Sequence, residues 1–144
     1  MAFTKTIPYN FRYLLATKEI DLENDDFHAY LMTSSLTYDP ATHLLYSDIS
    51  SYLINNTNAS AIRLRDQLLT KGAISNPSGQ LLKLPFDALV LDPDAGEDLP
   101  AFMYVFIVDV TATDDPIVCV VTFDAAQTIL GDELVKLENM YIQL

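Results

Sequence analysis

Two histidines, one cysteine and two acidic runs are the residues of this sequence whose types could support chemistry. A histidine near neutral pH can act as a general base or bind a metal. His28, however, lies within the apolar run Phe27-His28-Ala29-Tyr30-Leu31-Met32, where a histidine is more often a satisfied core or interface residue than a base. His43 sits in a loop between Thr42 and Leu44 with no obvious partner. Two isolated histidines with no third ligand do not make a zinc site. Cys119 alternates with valines and has no nearby lysine, arginine or histidine to favour its thiolate, so an inert, buried thiol is expected. As the only cysteine, it leaves no intrachain disulfide to form.

Alternating carboxylates on a loop can wrap calcium, and Asp92-Pro93-Asp94-Ala95-Gly96-Glu97-Asp98 comes closest to that arrangement. Its spacing misses the EF-hand pattern and Pro93 stiffens the turn, so a solvated acidic loop is expected instead. Asp21-Leu22-Glu23-Asn24-Asp25-Asp26 is read the same way. Asn55-Asn56-Thr57 and Asn58-Ala59-Ser60 match the glycosylation sequon, which carries no weight without a secretory signal. Glycine-rich nucleotide loops and a nucleophile elbow are missing from the sequence. The residues therefore predict no catalytic group, no metal and no cofactor, and the chain is not expected to be an enzyme.

The elements that would position these residues are mostly strands. Tyr9 to Lys18 reads as a short helix, with Phe11, Leu14, Leu15 and Lys18 at helical spacing, Asn10 available as a cap and Pro8 just outside. Phe27 to Thr33 reads as an inner strand, apolar on both faces. Ser34 to Ser47 is loop-like, and Ser47 to Ile54 fits either a one- or two-turn helix or an irregular edge strand. Asn55 to Asn58 is a loop, and Ala61 to Leu69 alternates and then shifts phase, as in a bulged strand. The turn signal Asn76-Pro77-Ser78-Gly79 precedes strands at Leu81–Leu84 and Phe86–Leu91. The clearest strands, Phe102–Val110 and Ile117–Phe123, flank a loop suited to a hairpin. A long C-terminal strand is expected over Leu134–Leu144, with Met140, Ile142 and Leu144 on one face. Without regular strand–helix alternation, the expectation is mainly β: a single antiparallel β-sandwich or barrel-like domain over residues 1–144, with a short N-terminal helix.

Charge and hydropathy bound the partners. Eight Lys+Arg against twenty Asp+Glu give a net charge of −12, and eleven acids lie between Lys83 and Lys136 with no basic residue among them. Such a surface repels phosphate backbones and anionic lipid, so neither nucleic acid nor membrane is an expected partner. No apolar run approaches the ~20 residues of a membrane helix. The first residues lack the apolar stretch of a signal peptide, which points to synthesis in a cytosol. Half of the residues are hydrophobic and mean hydropathy is +0.18, which leaves room for apolar surface buried between subunits.

The runs Tyr9 to Leu15, Ile20 to Asp26 and Ala29 to Ser35, followed by Thr37-Tyr38-Asp39-Pro40 and Tyr46-Ser47-Asp48-Ile49, resemble a family of small tailed-bacteriophage virion proteins. Those proteins carry a helix ending in a leucine pair, an acidic turn, a strand entering a Thr-Ser-Ser loop and a Tyr-Phe-Ser-Asp segment. The resemblance covers about forty residues, roughly 10 to 50. The family's glycine-rich stretch has no counterpart, because Asn55 to Ile62 occupies its place without a glycine. Members are virion structural proteins, several of them of the capsid decoration or cement type. The resemblance thus implies a protein on the capsid exterior, made in the bacterial cytoplasm, that binds the major capsid protein. Because a lattice offers matching symmetric sites, it is expected to bind copies of itself as a dimer or trimer. Aromatic residues carry much of an interface's energy, so Phe11, Tyr13, Tyr30, Phe102, Tyr104 and Tyr141 are candidate contact residues. The alternatives are a head–tail connector or tail-associated protein and, in a different class, a calcium- or carbohydrate-binding β-sandwich with Asp92, Asp94 and Glu97 converging on the metal.

Overall fold

A computed structural model describes residues 2–76 and 82–143. In chain order its elements are β1 (Phe3–Thr6), α1 (Phe11–Ala16), β2 (Phe27–Met32), α2 (Tyr46–Ile49) running into a 3-10 turn (Ser50–Tyr52), α3 (Ala59–Leu64) and β3 (Asp66–Leu68). The second half is all strand: β4 (Lys83–Pro85), β5 (Leu89–Leu91), β6 (Phe102–Asp109), β7 (Ile117–Gln127), β8 (Val135–Leu137) and β9 (Tyr141–Gln143).

The two longest apolar runs form the frame. β6 and β7 pair antiparallel as a hairpin, with Val105 opposite Val121 and Phe106 opposite Val120. They lie at the middle of a five-stranded sheet of order β1-β7-β6-β2-β3 in which every pairing is antiparallel. An inner strand is apolar on both faces because both faces are covered, and β2, β6 and β7 meet that condition. Phe27, Ala29, Leu31, Val105, Ile107 and Val121 point into the larger core. Opposing them are Leu84, Leu89, Leu91, Leu137 and Ile142, carried by two small sheets, β4-β9 and β5-β8. The architecture is thus mainly β and sandwich-like.

The other face of the large sheet is covered by loop and helix. Tyr30, Met32, Tyr104, Phe106, Val108 and Val120 pack beneath Leu36 and Ile49 from the segment between β2 and α3. A register irregularity between Ile107 and Val108 lets Ile117 join this second cluster although Val118 and Cys119 belong to the first.

Several expectations change. Ser47 to Ile54, for which the sequence allows helix or strand, starts as a helix: the Asp48 carboxylate accepts the N–H groups of Leu44 and Leu45 at 3.1 and 3.0 Å. Ala61 to Leu64 is the end of α3 and not the start of a bulged strand, and β3 begins only at Asp66. The cause is local: Asn58 caps the helix by accepting Ala61 N–H at 2.7 Å, and Ser60, Ala61 and Leu64 share the buried side. The expected C-terminal strand is two strands in two different sheets, β8 with β5 and β9 with β4. Asn139, at φ 56°, breaks the run between them. β1, where the sequence predicts no element, supplies the sheet's outer strand against β7. Pro77, Ser78 and Gly79 of the expected turn, Leu81 of the strand after it and Leu144 lie outside the described residues.

Candidate functional site

The acidic loop before β6 is held by side chains from α3. Arg63 reaches Asp92 Oδ1 at 2.9 Å and its backbone oxygen at 3.0 Å, with Asp94 Oδ1 at 3.9 Å. The fully buried Ser60 donates from Oγ to Glu97 Oε2 at 2.5 Å, and its own N–H reaches the same oxygen at 3.1 Å. The Asp94 N–H in turn donates to Ser60 Oγ at 2.9 Å. The Asn58 side-chain amide donates to the Asp98 backbone oxygen, and Asp98 Oδ1 accepts Gly131 N–H at 2.8 Å. The carboxylates of Asp92, Glu97 and Asp98 thus face a guanidinium, a hydroxyl and a backbone amide on three sides. Among the described residues, no group of three or more potential ligands comes together for a metal.

Gly131 shows how closely this loop is packed. A Cβ there would lie 2.6 Å from Gly96 N and 2.7 Å from Asp94 O, so backbone meets backbone where a side chain has no room. Asp92, Asp94 and Asp98 are exposed, as the sequence predicts for a solvated acidic loop. The hydroxyl and amide of the Asn58-Ala59-Ser60 triplet, which hold the loop in place, are not announced by its own residues.

The turn before β2 is the second acidic cluster. Asp21 Oδ1 accepts the N–H groups of Glu23 and Asn24, and Oδ2 accepts Asn24 Nδ2 at 2.8 Å. The Asn24 side-chain bond is the main reason the Asp21 carboxyl is held below its ordinary range. Lys71 donates its ammonium to the backbone oxygens of Glu23 and Asp25. Asp109 closes β6 against this turn, opposite Phe27, and has no exposed surface. Its Oδ1 accepts Thr111 N–H and Ala112 N–H, both at 3.0 Å, while Oδ2 is buried without a donor. Burial and the adjoining Asp25 carboxyl push the Asp109 carboxyl up to about 7. An aspartate ending a run of seven apolar residues, Phe102 to Val108, is the available sequence signal for this site.

The other chemistry-bearing residues are each committed locally. His28 Nδ1 lies 2.5 Å from Asp66 Oδ1, joining β2 to β3, and its ring stacks toward Tyr30, which stacks on Tyr46 at 4.3 Å. Among the described residues, no hydroxyl or thiol side chain bonds to His28 as a nucleophile would. His43, expected to lack a partner, accepts Asp39 N–H on Nδ1 at 2.8 Å and stacks on Tyr38. Cys119 is buried, and desolvation raises its thiol to about 12, as expected of an inert core cysteine.

The six aromatic candidates divide. Phe11 and Phe102 have no exposed surface and Tyr30 and Tyr104 are buried, the Tyr104 hydroxyl donating to the Leu36 oxygen at 2.8 Å. In the folded chain these four serve the core. Tyr13 is 66% exposed on α1, beside Tyr9 at 74%. Tyr141 is partly exposed, with Lys5 Nζ 3.0 Å and Lys83 Nζ 4.3 Å from its ring centre. The Lys5 hydrogen bond and charge draw its phenol below the ordinary value. Other large apolar side chains left open among the described residues are Ile62, Leu68, Ile74, Leu130 and Leu134, which the sequence does not single out.

In comparisons with known proteins, no family model matches the chain, and neither the curated proteins nor the solved structures give a match.

Proposed function

We propose that this chain is a structural protein of a tailed-phage virion, a capsid decoration or cement protein that binds the outside of the major capsid shell. The observation that carries the reading is the resemblance over Tyr9 to Ile49, about forty residues spanning the helix, the acidic turn, the inner strand and the Tyr46-Ser47-Asp48-Ile49 segment. The surface is compatible with this role. Tyr9, Tyr13, Leu68 and Leu134 offer apolar and aromatic contact area, and a net charge of −12 keeps the chain away from the packaged genome. The partners in this reading are the major capsid protein and further copies of the chain, arranged as a dimer or trimer matched to lattice symmetry. Catalysis has no part in it.

Counting copies per purified particle by quantitative mass spectrometry tests the proposal. Hundreds of copies, removable without loss of the tail, are expected of a cement protein. A count of about six or twelve would instead make it a connector ring, and absence from the particle would overturn the virion reading.

A further inference from the structure

We propose that Asp25 and Asp109 share one proton in the folded chain, and that this proton is a pH-operated latch fastening the 20–26 turn to the β6–β7 loop. The latch is independent of what the chain binds and follows from the supply of donors. Asp109 is fully buried, both donors it receives go to Oδ1, and Oδ2 has none. A buried carboxylate oxygen without a donor is costly, and such groups persist only when paired or neutralised. The pairing of Phe27 with Asp109 and the Val110 N–H bond to the Asp26 oxygen bring the buried Asp25 carboxyl alongside it, and Asp25 already accepts Asp21 N–H on Oδ2 at 2.9 Å.

Neither cation near this turn supplies that donor: Lys71 gives its ammonium to the backbone oxygens of Glu23 and Asp25, Lys18 lines the turn beside Asp21 and Glu23, and Asp109 Oδ2 bonds to neither. The remaining charged groups on the packed segments, Asp21, Glu23 and Asp26 of the turn and Asp114 and Asp115 of the hairpin loop, are all acids. The missing donor is therefore a proton, held by one carboxyl and accepted by the other.

The site fastens two segments distant in sequence. Asp26 N–H donates to Thr111 Oγ1 at 2.8 Å, and Val110 N–H donates to the Asp26 oxygen at 3.0 Å. From the same loop, the Asp115 oxygen accepts Tyr46 N–H at the start of α2. Removing the shared proton leaves two carboxylates facing one another with no cation between them, so the clasp loosens as pH rises.

The experiment is an NMR pH titration of the Thr111 and Ala112 amides, whose N–H groups report on Asp109 Oδ1, together with Tm against pH for the wild-type chain, Asp109→Asn and Asp25→Asn. Asp124→Asn, an exposed substitution, corrects for the general loss of negative charge. An amide side chain can donate where the proton does. Asp109→Asn is therefore expected to melt on the order of 5 °C above Asp124→Asn at pH 8, with a flatter profile from pH 5 to 8. The wild-type amides are expected to titrate near neutrality. A midpoint near that of an ordinary carboxylate, about 4, would overturn the latch, as would a wild-type slope in both Asn variants. If Asp109→Asn does not fold, the wild-type titration and Asp25→Asn decide the question.

Discussion

The two acidic clusters of this chain look alike in sequence and are built in opposite ways. In the 92–98 loop three carboxylates each meet a donor: Arg63 for Asp92, Ser60 for Glu97, Gly131 N–H for Asp98. In the 21–26 turn and its β6 neighbour Asp109, the outer acid is satisfied by Asn24 and backbone amides, while an inner oxygen has no donor at all. The difference shows that the number of acids in a segment says little about its electrostatics. What decides is whether folding delivers donors to the oxygens it buries.

The largest effect that separates the two clusters is pH dependence. Asp109 binds its proton more tightly folded than unfolded, so its stabilising contribution is complete below about pH 4 and is lost as pH rises through about 7. Each pH unit between the unfolded and folded values is worth about 1.4 kcal/mol, so a few kcal/mol depend on that window. Chemical denaturation at pH 5 and pH 8 should show the loss, and equal stability at both would erase the contrast.

Gly131→Ala comes next and acts on the other cluster alone. Its Cβ would meet backbone atoms within 3 Å, so we expect a loss of about 2–3 kcal/mol in a denaturant titration, the cost of overpacking against an unyielding wall. Ser60→Ala should cost about 1–2 kcal/mol, because the Asp94 N–H loses its acceptor and Glu97 loses its shortest donor. Arg63→Ala is expected to cost only about 0.5 kcal/mol, since both partners of that ion pair are half exposed. If Arg63→Ala proved more damaging than Ser60→Ala, charge and not the buried hydroxyl would be what holds the loop.

The legible parts of the fold are those where one residue type dominates a face. Phe102 to Val108 and Ile117 to Phe123 form strands in any context that covers them, and Phe11, Leu14 and Leu15 mark the short helix, although Asn10 stands at its start without a side-chain cap bond. Ala61 to Leu64 misleads because four residues of alternating pattern fit both periods, and the deciding cap, Asn58, lies before the run. The C-terminal stretch misleads for a related reason: nothing in Glu138-Asn139-Met140 announces a left-handed residue, although asparagine tolerates one. The candidate site is harder still. Tyr13 and Tyr104 are the same residue type, yet one lies on the surface and the other donates to the Leu36 oxygen inside the second core.

Composition and local pattern by themselves determine that this chain is acidic, mainly β and built around the hairpin of its two most apolar runs. Those properties depend on side-chain type and near-neighbour period, which the sequence states directly. Only the tertiary structure decides which aromatic residues face out, that Ser60 and Gly131 seal one acidic loop, and that Asp109 is buried against Asp25. Each of those depends on where segments tens of residues apart are brought together, and burial and donor supply exist only once the chain has closed on itself.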